Sequence, residues 1–207
     1  CRVIVGLRSK TSCTFISHRE FMRKLRSIAV PSGAVFIALS LLSAPVSAQS
    51  NAENYRVRAI EVLTPPVLDG ILDEATWGGA GRIEQFIQQE PEEGAPSSER
   101  TEVYVLYDAE TLYVGLRAWD SAVGGVTATE MRRDSDRILE EDNFQIILDT
   151  FDDSRSGYMF VTNPLGAQLD QQVFNEGEGA APGRPSSNIN RDWDGVWHVA
   201  ARILDDG

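Results

Sequence analysis

The chain has 207 residues, with 31 acidic side chains against 19 Lys and Arg and a formal net charge of −12. Such a chain repels phosphate backbones and anionic lipid surfaces, which argues against nucleic acid as a partner. At this length it can bury one core of ordinary domain size.

From Met22 the sequence reads as a secretory signal, with MRKLRS as the basic part and AVFIALSLL as the apolar part. PVSAQS follows, carrying Val46 and Ala48 where a signal peptidase reads small residues, so 22–48 is a signal peptide cut between Ala48 and Gln49. Residues 1–21 read as an upstream extension outside the fold. Segment 1–48 holds 7 of the 19 basic side chains and 1 of the 31 acidic ones, leaving 12 Arg against 30 acids and a net charge of −18 over 159 residues. Cys1 and Cys13 leave with it, so the exported part has no disulfide and must rest on a hydrophobic core.

Strand signals dominate residues 49–207. YRVRAIEVL (55–63) alternates polar and apolar residues as a half-buried strand does, and Pro65 and Pro66 end it. In PPVLDGILDEATW (65–77), Asp69-Gly70 is a turn dipeptide and Asp73 suits the N-cap of a short helix over 73–80, which tucks Trp77 against the fold. TEVYVLYD (101–108) and TLYVGLRAWD (111–120) form a hairpin with Asp108 opening its turn. A second short helix is expected over 135–141, capped by Ser135. DNFQIILDTF (142–151), GYMFVTN (157–163), AQLDQQVF (167–174) and GVWHVAARIL (195–204) are further strands, interrupted by a long polar loop over 175–192. This pattern predicts an all-β fold, an antiparallel β-sandwich of immunoglobulin or jelly-roll type with one or two short helices. The last strand has no returning partner before Gly207, so the domain reads as incomplete at its C-terminal end.

The acids Asp69, Asp73 and Glu74 beside Trp77 resemble half of a glycosidase centre. A glycosidase, however, needs two carboxyls facing each other across a cleft, on separate elements. Turn and cap roles account for all three. Acids around Asp142, Asp149, Asp152 and Asp153 are candidates for Ca²⁺, against a solvated turn as the alternative, because the EF-hand spacing is missing. His198, on an alternating strand, lacks a nucleophile motif and reads as a packed or surface residue. The candidate ligand-binding residues are Tyr107, Asp108 and Trp119: flat aromatic faces beside carboxylates and Arg suit the C–H faces and hydroxyls of a sugar.

LDGILDEATW, VYVLYDAETLYVGLRAWD and EDNFQIILDT, together with RRDSD, NPLGAQLD and DWDGVWHVAARI, resemble in order and spacing the carbohydrate-binding module family 9-like domain. The version they resemble stands at the N-terminus of large exported bacterial proteins ahead of a predicted outer-membrane β-barrel region, and the resemblance covers roughly residues 56–207. It implies a β-sandwich that binds a saccharide or polysaccharide without cleaving it, located in the periplasm, in the outer membrane or at the cell surface. In sugar-binding members two aromatic rings clamp a terminal sugar. The first falls on Tyr107, where well-studied members carry Trp, and no residue before Gly207 matches the second. Members can carry structural calcium. Two further readings stand beside this one: a structural or interaction domain serving an attached barrel, and part of a glycoside-hydrolysing enzyme.

Overall fold

A computed structural model describes residues 2–8, 14–15, 57–122, 124–179 and 186–204. The expected signal segment lies outside the described residues. The fold is all-β, built from two sheets that face each other as a sandwich.

The first sheet contains β1 (Arg2–Arg8), β3 (Ile60–Glu61), β4 (Gly81–Ile83), β5 (Thr101–Tyr107), β6 (Thr111–Ala118) and β11 (Trp197–Arg202), ordered β11-β1-β6-β5-β3 with β4 also on β5. The second contains β2 (Thr14–Phe15), β7 (Phe144–Asp149), β8 (Gly157–Thr162), β9 (Gln168–Val173) and β10 (Ile189–Asn190), ordered β10-β9-β8-β7-β2. All pairings are antiparallel except β3 with β5.

Alternation along the strands sorts the side chains into layers. Val103, Val105, Val114 and Leu116 of the first sheet meet Ile146, Leu148 and Phe160 of the second, with Trp197 completing the core. Each fully buried aliphatic or aromatic side chain of this kind contributes about 1.5–3 kcal/mol. On the outer face of the first sheet, Leu106 and Tyr113 are covered by Trp77. On the outer face of the second, Val161 and Leu169 are covered by Ile138.

Several expectations change. Of the strand expected over 55–63, residues 55–56 lie outside the described residues and the rest is strand only at Ile60–Glu61, because β3 and β4 divide one edge of β5 between Leu106–Tyr107 and Val103–Val105. A Cβ on Gly81 would lie 2.2 Å from the Arg58 carbonyl oxygen, so the chain can pass there only over glycine. The first helix is a single turn, α1 (Ala75–Gly78), whose N-cap position is Glu74 rather than Asp73, without a side-chain cap. Glu74 instead accepts the Val67 N–H at 2.9 Å and the Trp77 indole N–H at 2.8 Å, tying the Pro-rich loop to the turn. The expected helix over 135–141 is a 3-10 turn, Asp136–Glu140. The Ser135 hydroxyl does not cap that turn; it donates to Glu130 at 2.6 Å.

Strands also come from near both ends of the chain. Residues 2–8 lie between β6 and β11, and 14–15 pair with β7, so part of the stretch set aside from the fold contributes strands. The strand near the C-terminus therefore has a neighbour along Trp197–Arg202. The β-branched run Val-Ile-Val supplies what two open strand edges require, a partner for their backbone groups.

Candidate functional site

The β5–β6 hairpin separates the residues expected to act together. Thr101 pairs with Ala118 at one end and Tyr107 with Leu112 at the other. Tyr107 and Trp119 are thus roughly 20 Å apart, the length of a seven-residue strand. Tyr107 is 39% exposed, and the exposed Phe151 occupies the loop after β7 at the same end of the sandwich. Asp108 is a turn residue: Oδ1 accepts the N–H groups of Glu110 and Thr111 at 2.8 Å each, and Oδ2 accepts the Tyr113 hydroxyl at 2.7 Å.

Trp119 stands at a cleft. At its end of the sandwich the two sheets part around a cavity of about 360 Å³. Leu116 and Ala118 of β6 form one wall and Phe144 of β7 the other, both apolar. Polar side chains share the lining: Glu99, Asp120, Asp142, Asn143 and the buried Asn163. The Arg100 and Arg117 guanidiniums lie 4.4 and 4.3 Å from the Trp119 ring centroid, so two cation–π contacts hold the indole in place. Arg100 also binds the buried Glu102 carboxylate, which accepts the Tyr104 hydroxyl at 2.6 Å. Burial pushes the Glu102 carboxyl up, but those hydrogen bonds outweigh it and hold the group below its ordinary value.

The loop that closes the cleft is tied down by carboxylates. Asp142 and Thr127 bond reciprocally, through the Thr127 N–H to Oδ2 at 2.7 Å and the Asp142 N–H to the Thr127 carbonyl at 3.0 Å. Glu141 accepts the Thr129 hydroxyl at 2.5 Å, the Thr129 N–H at 2.8 Å and the Glu130 N–H at 2.9 Å. The Thr129 hydroxyl above all, with the Glu130 N–H, holds this carboxyl below its usual value.

Glu130 is the next link. It is 6% exposed and accepts Arg132 through both guanidinium and backbone, and the Ser135 hydroxyl. The Arg132 guanidinium above all, then Ser135, keeps the carboxyl well below its ordinary value of 4.5. A depressed folded-state pKa gives stability that is complete above 4.5 and is lost as pH falls toward the folded value. Glu130→Gln is expected to flatten the acid limb of stability below about pH 4.5, read by denaturant titration across pH. Parallel acid limbs in the two proteins would show that Glu130 contributes nothing there.

The four acids considered for calcium do not assemble a site. Asp142 and Asp149 sit at opposite ends of β7. Asp149, buried, accepts the N–H groups of Phe151 at 3.1 Å and Ser154 at 2.7 Å. Asp153 accepts those of Arg155 and Ser156, both at 2.7 Å, and these amides, Arg155 first, hold its carboxyl below its usual range. Asp152 occupies a positive-φ position in the same loop. These acids shape the β7–β8 connection, whereas calcium takes roughly six to eight oxygens around one point. Among the described residues no group of three His, Cys, Asp or Glu side chains is placed to hold a metal. His198 is an exposed residue on β11. Asp69 accepts the Ile71 N–H at 2.9 Å beside Gly70 at φ +81°, the expected turn.

One constellation escaped the sequence reading. Asp170 is 1% exposed on β9 and accepts the Trp197 indole at 3.0 Å, the Gly195 N–H at 2.5 Å and the Arg133 guanidinium at 2.6 Å. Arg133 bonds Asp194 as well. RRDSD, NPLGAQLD and DWDGVWHVAARI meet at this point. Its signal in the sequence is an Asp inside an otherwise strand-forming run, where Asp is normally depleted. No known family model, curated protein or solved structure matches this chain.

Proposed function

We propose that this chain is a non-catalytic saccharide-binding module of an exported envelope protein, of the family 9-like kind its motifs resemble, and that the sugar enters the Trp119 cleft. The observation that carries this reading is the cleft's composition. A cavity of about 360 Å³ lined by an aromatic ring, apolar walls, carboxylates and amides suits the C–H faces and hydroxyls of one or two sugar rings. The acids of segment 65–77 hold a turn and an indole, which supports binding without cleavage. Calorimetric titration with cellobiose, xylobiose and soluble glucan or xylan oligomers tests it. Trp119→Ala is expected to weaken binding at least about tenfold, while Tyr107→Ala and Phe151→Ala leave it unchanged. Loss of binding in the latter two alone would move the site to the other end of the sandwich, and no heat from any sugar would sink the proposal.

A second reading, a structural domain attached to an outer-membrane barrel, draws on where the rings are spent. Trp77 and Trp197 are buried, Trp193 packs on Tyr158 and Phe160, and Trp119 carries two guanidiniums. That arrangement suits a scaffold, and under it the sugars give no heat.

A further inference from the structure

We infer that the cleft selects non-anionic saccharides and takes a protonated amino sugar most tightly; the inference rests on the saccharide reading of the same cavity. Three carboxylates line it, Glu99, Asp120 and Asp142, and among the described residues no Lys, Arg or His does. The Arg100 and Arg117 guanidiniums touch the Trp119 ring, which lines the cavity, but are not themselves in the lining.

The hydrogen-bonding inventory points the same way. Each carboxylate uses one oxygen locally: Asp142 Oδ2 accepts the Thr127 N–H, Asp120 Oδ1 the Ala122 N–H, and Glu99 Oε1 the Ser121 hydroxyl. The second oxygen of each accepts nothing among the described residues, so acceptor capacity is left over. Donors are scarce. The Asn143 amide donates to the carbonyls of Ile138 and Glu141, and the Asn163 amide to the Glu130 carbonyl and the Glu141 carboxylate. The Thr162 hydroxyl makes only a long bond. This residue is 2% exposed, lines the cavity, and its hydroxyl reaches only the Asn163 carbonyl, at 3.5 Å. Ordinary O–H···O bonds are about 2.5–3.0 Å, so this buried hydroxyl lacks a partner of normal length. A ligand that completes the site must bring donors and one hydroxyl able to meet Thr162. Hydroxyls and an ammonium group do so, whereas a uronate adds a fourth negative charge to three.

The test is calorimetry on the full chain with three probes: the disaccharide of glucosamine, cellobiose and digalacturonate. The amino sugar is expected to bind about tenfold more tightly than cellobiose at low salt and to lose most of that advantage near 0.5 M salt. Digalacturonate is expected to bind at least about tenfold more weakly than cellobiose. A variant combining Glu99→Gln, Asp120→Asn and Asp142→Asn keeps every accepting oxygen named above, so the loops stay anchored while the charge goes. It is expected to bring all three probes to within about threefold of one another. A control combining Asp73→Asn, Glu92→Gln and Glu93→Gln removes the same charge from exposed positions and is expected to leave the ranking intact. If the triple cleft variant fails to fold by circular dichroism, Asp142→Asn alone is expected to shift the ranking in the same direction. Equal binding of digalacturonate and cellobiose, or an amino-sugar preference that survives the cleft substitutions, overturns the inference while the saccharide reading stands. Silence from all three probes overturns both.

Discussion

Asp170→Ala is expected to lower stability by about 3–5 kcal/mol, the loss typical of breaking a buried ion pair from one side. For a chain of this size that is roughly 10 °C or more in melting temperature. Three donors converge on this carboxylate: the Trp197 indole, the Gly195 backbone and the Arg133 guanidinium. Removing the acceptor leaves the buried Trp197 indole N–H and the half-buried Gly195 N–H without a partner, and separates Arg133 from its buried counter-charge. Asp170→Asn keeps one acceptor oxygen and is expected to lose about half as much. Asp194→Asn is the contrast: that side chain is 78% exposed, and its pair with Arg133 contributes about 0–1 kcal/mol. Thermal melts of the three variants check the ranking, and an Asp170→Ala protein as stable as Asp194→Asn would show that the convergence carries no weight.

Trp77→Ala is the second large effect, expected at about 3–5 kcal/mol from lost burial and the cavity left behind. The indole is 3% exposed and lies on Gly115, where an added Cβ would approach it to 3.0 Å. It meets Tyr104 edge-on at 6.3 Å, and its N–H binds Glu74. One ring thus covers the outer face of β5–β6 and anchors the loop from Val67 to Glu74. Trp77→Phe, which keeps a ring but loses the hydrogen bond, is expected to cost less than half as much. Denaturant unfolding measures both. Equal losses in Ala and Phe would mean that the hydrogen bond, and not the buried ring, holds the loop.

Much of the fold was legible because it rests on local pattern. The alternation in TEVYVLY and TLYVGLRA fixes which side chains face the core, and Asp108 opens the turn between them as expected. The long strands from Thr101 onward fall within the segments read from their periodicity, whereas Arg2–Arg8 was not read as a strand. The short ones, Gly81–Ile83 and Ile189–Asn190, did not stand out, because two or three residues carry no period. Asp73 reads as a cap by its spacing, yet the loop's own hydrogen bonds recruit Glu74.

The candidate site was legible only in part. Trp119 could be picked out as a large ring near a strand's end, and the hairpin read over 101–120 already sets it a strand's length from Tyr107; what the order of residues does not show is the cleft beside it. Nor does sequence show that Asp149 and Asp153 turn their oxygens toward amides of their own loop. Sequence alone determined the strand pattern, the acidic balance and the class of fold, since each follows from residue type and near-neighbour spacing. Tertiary structure alone decided the rest: Asp170 meets Trp197 across 27 residues, Arg133 meets Asp170 across 37, and Glu99, Asp120 and Asp142 share one cleft. Those contacts come from how strands pair and sheets pack, a long-range choice that no local period encodes.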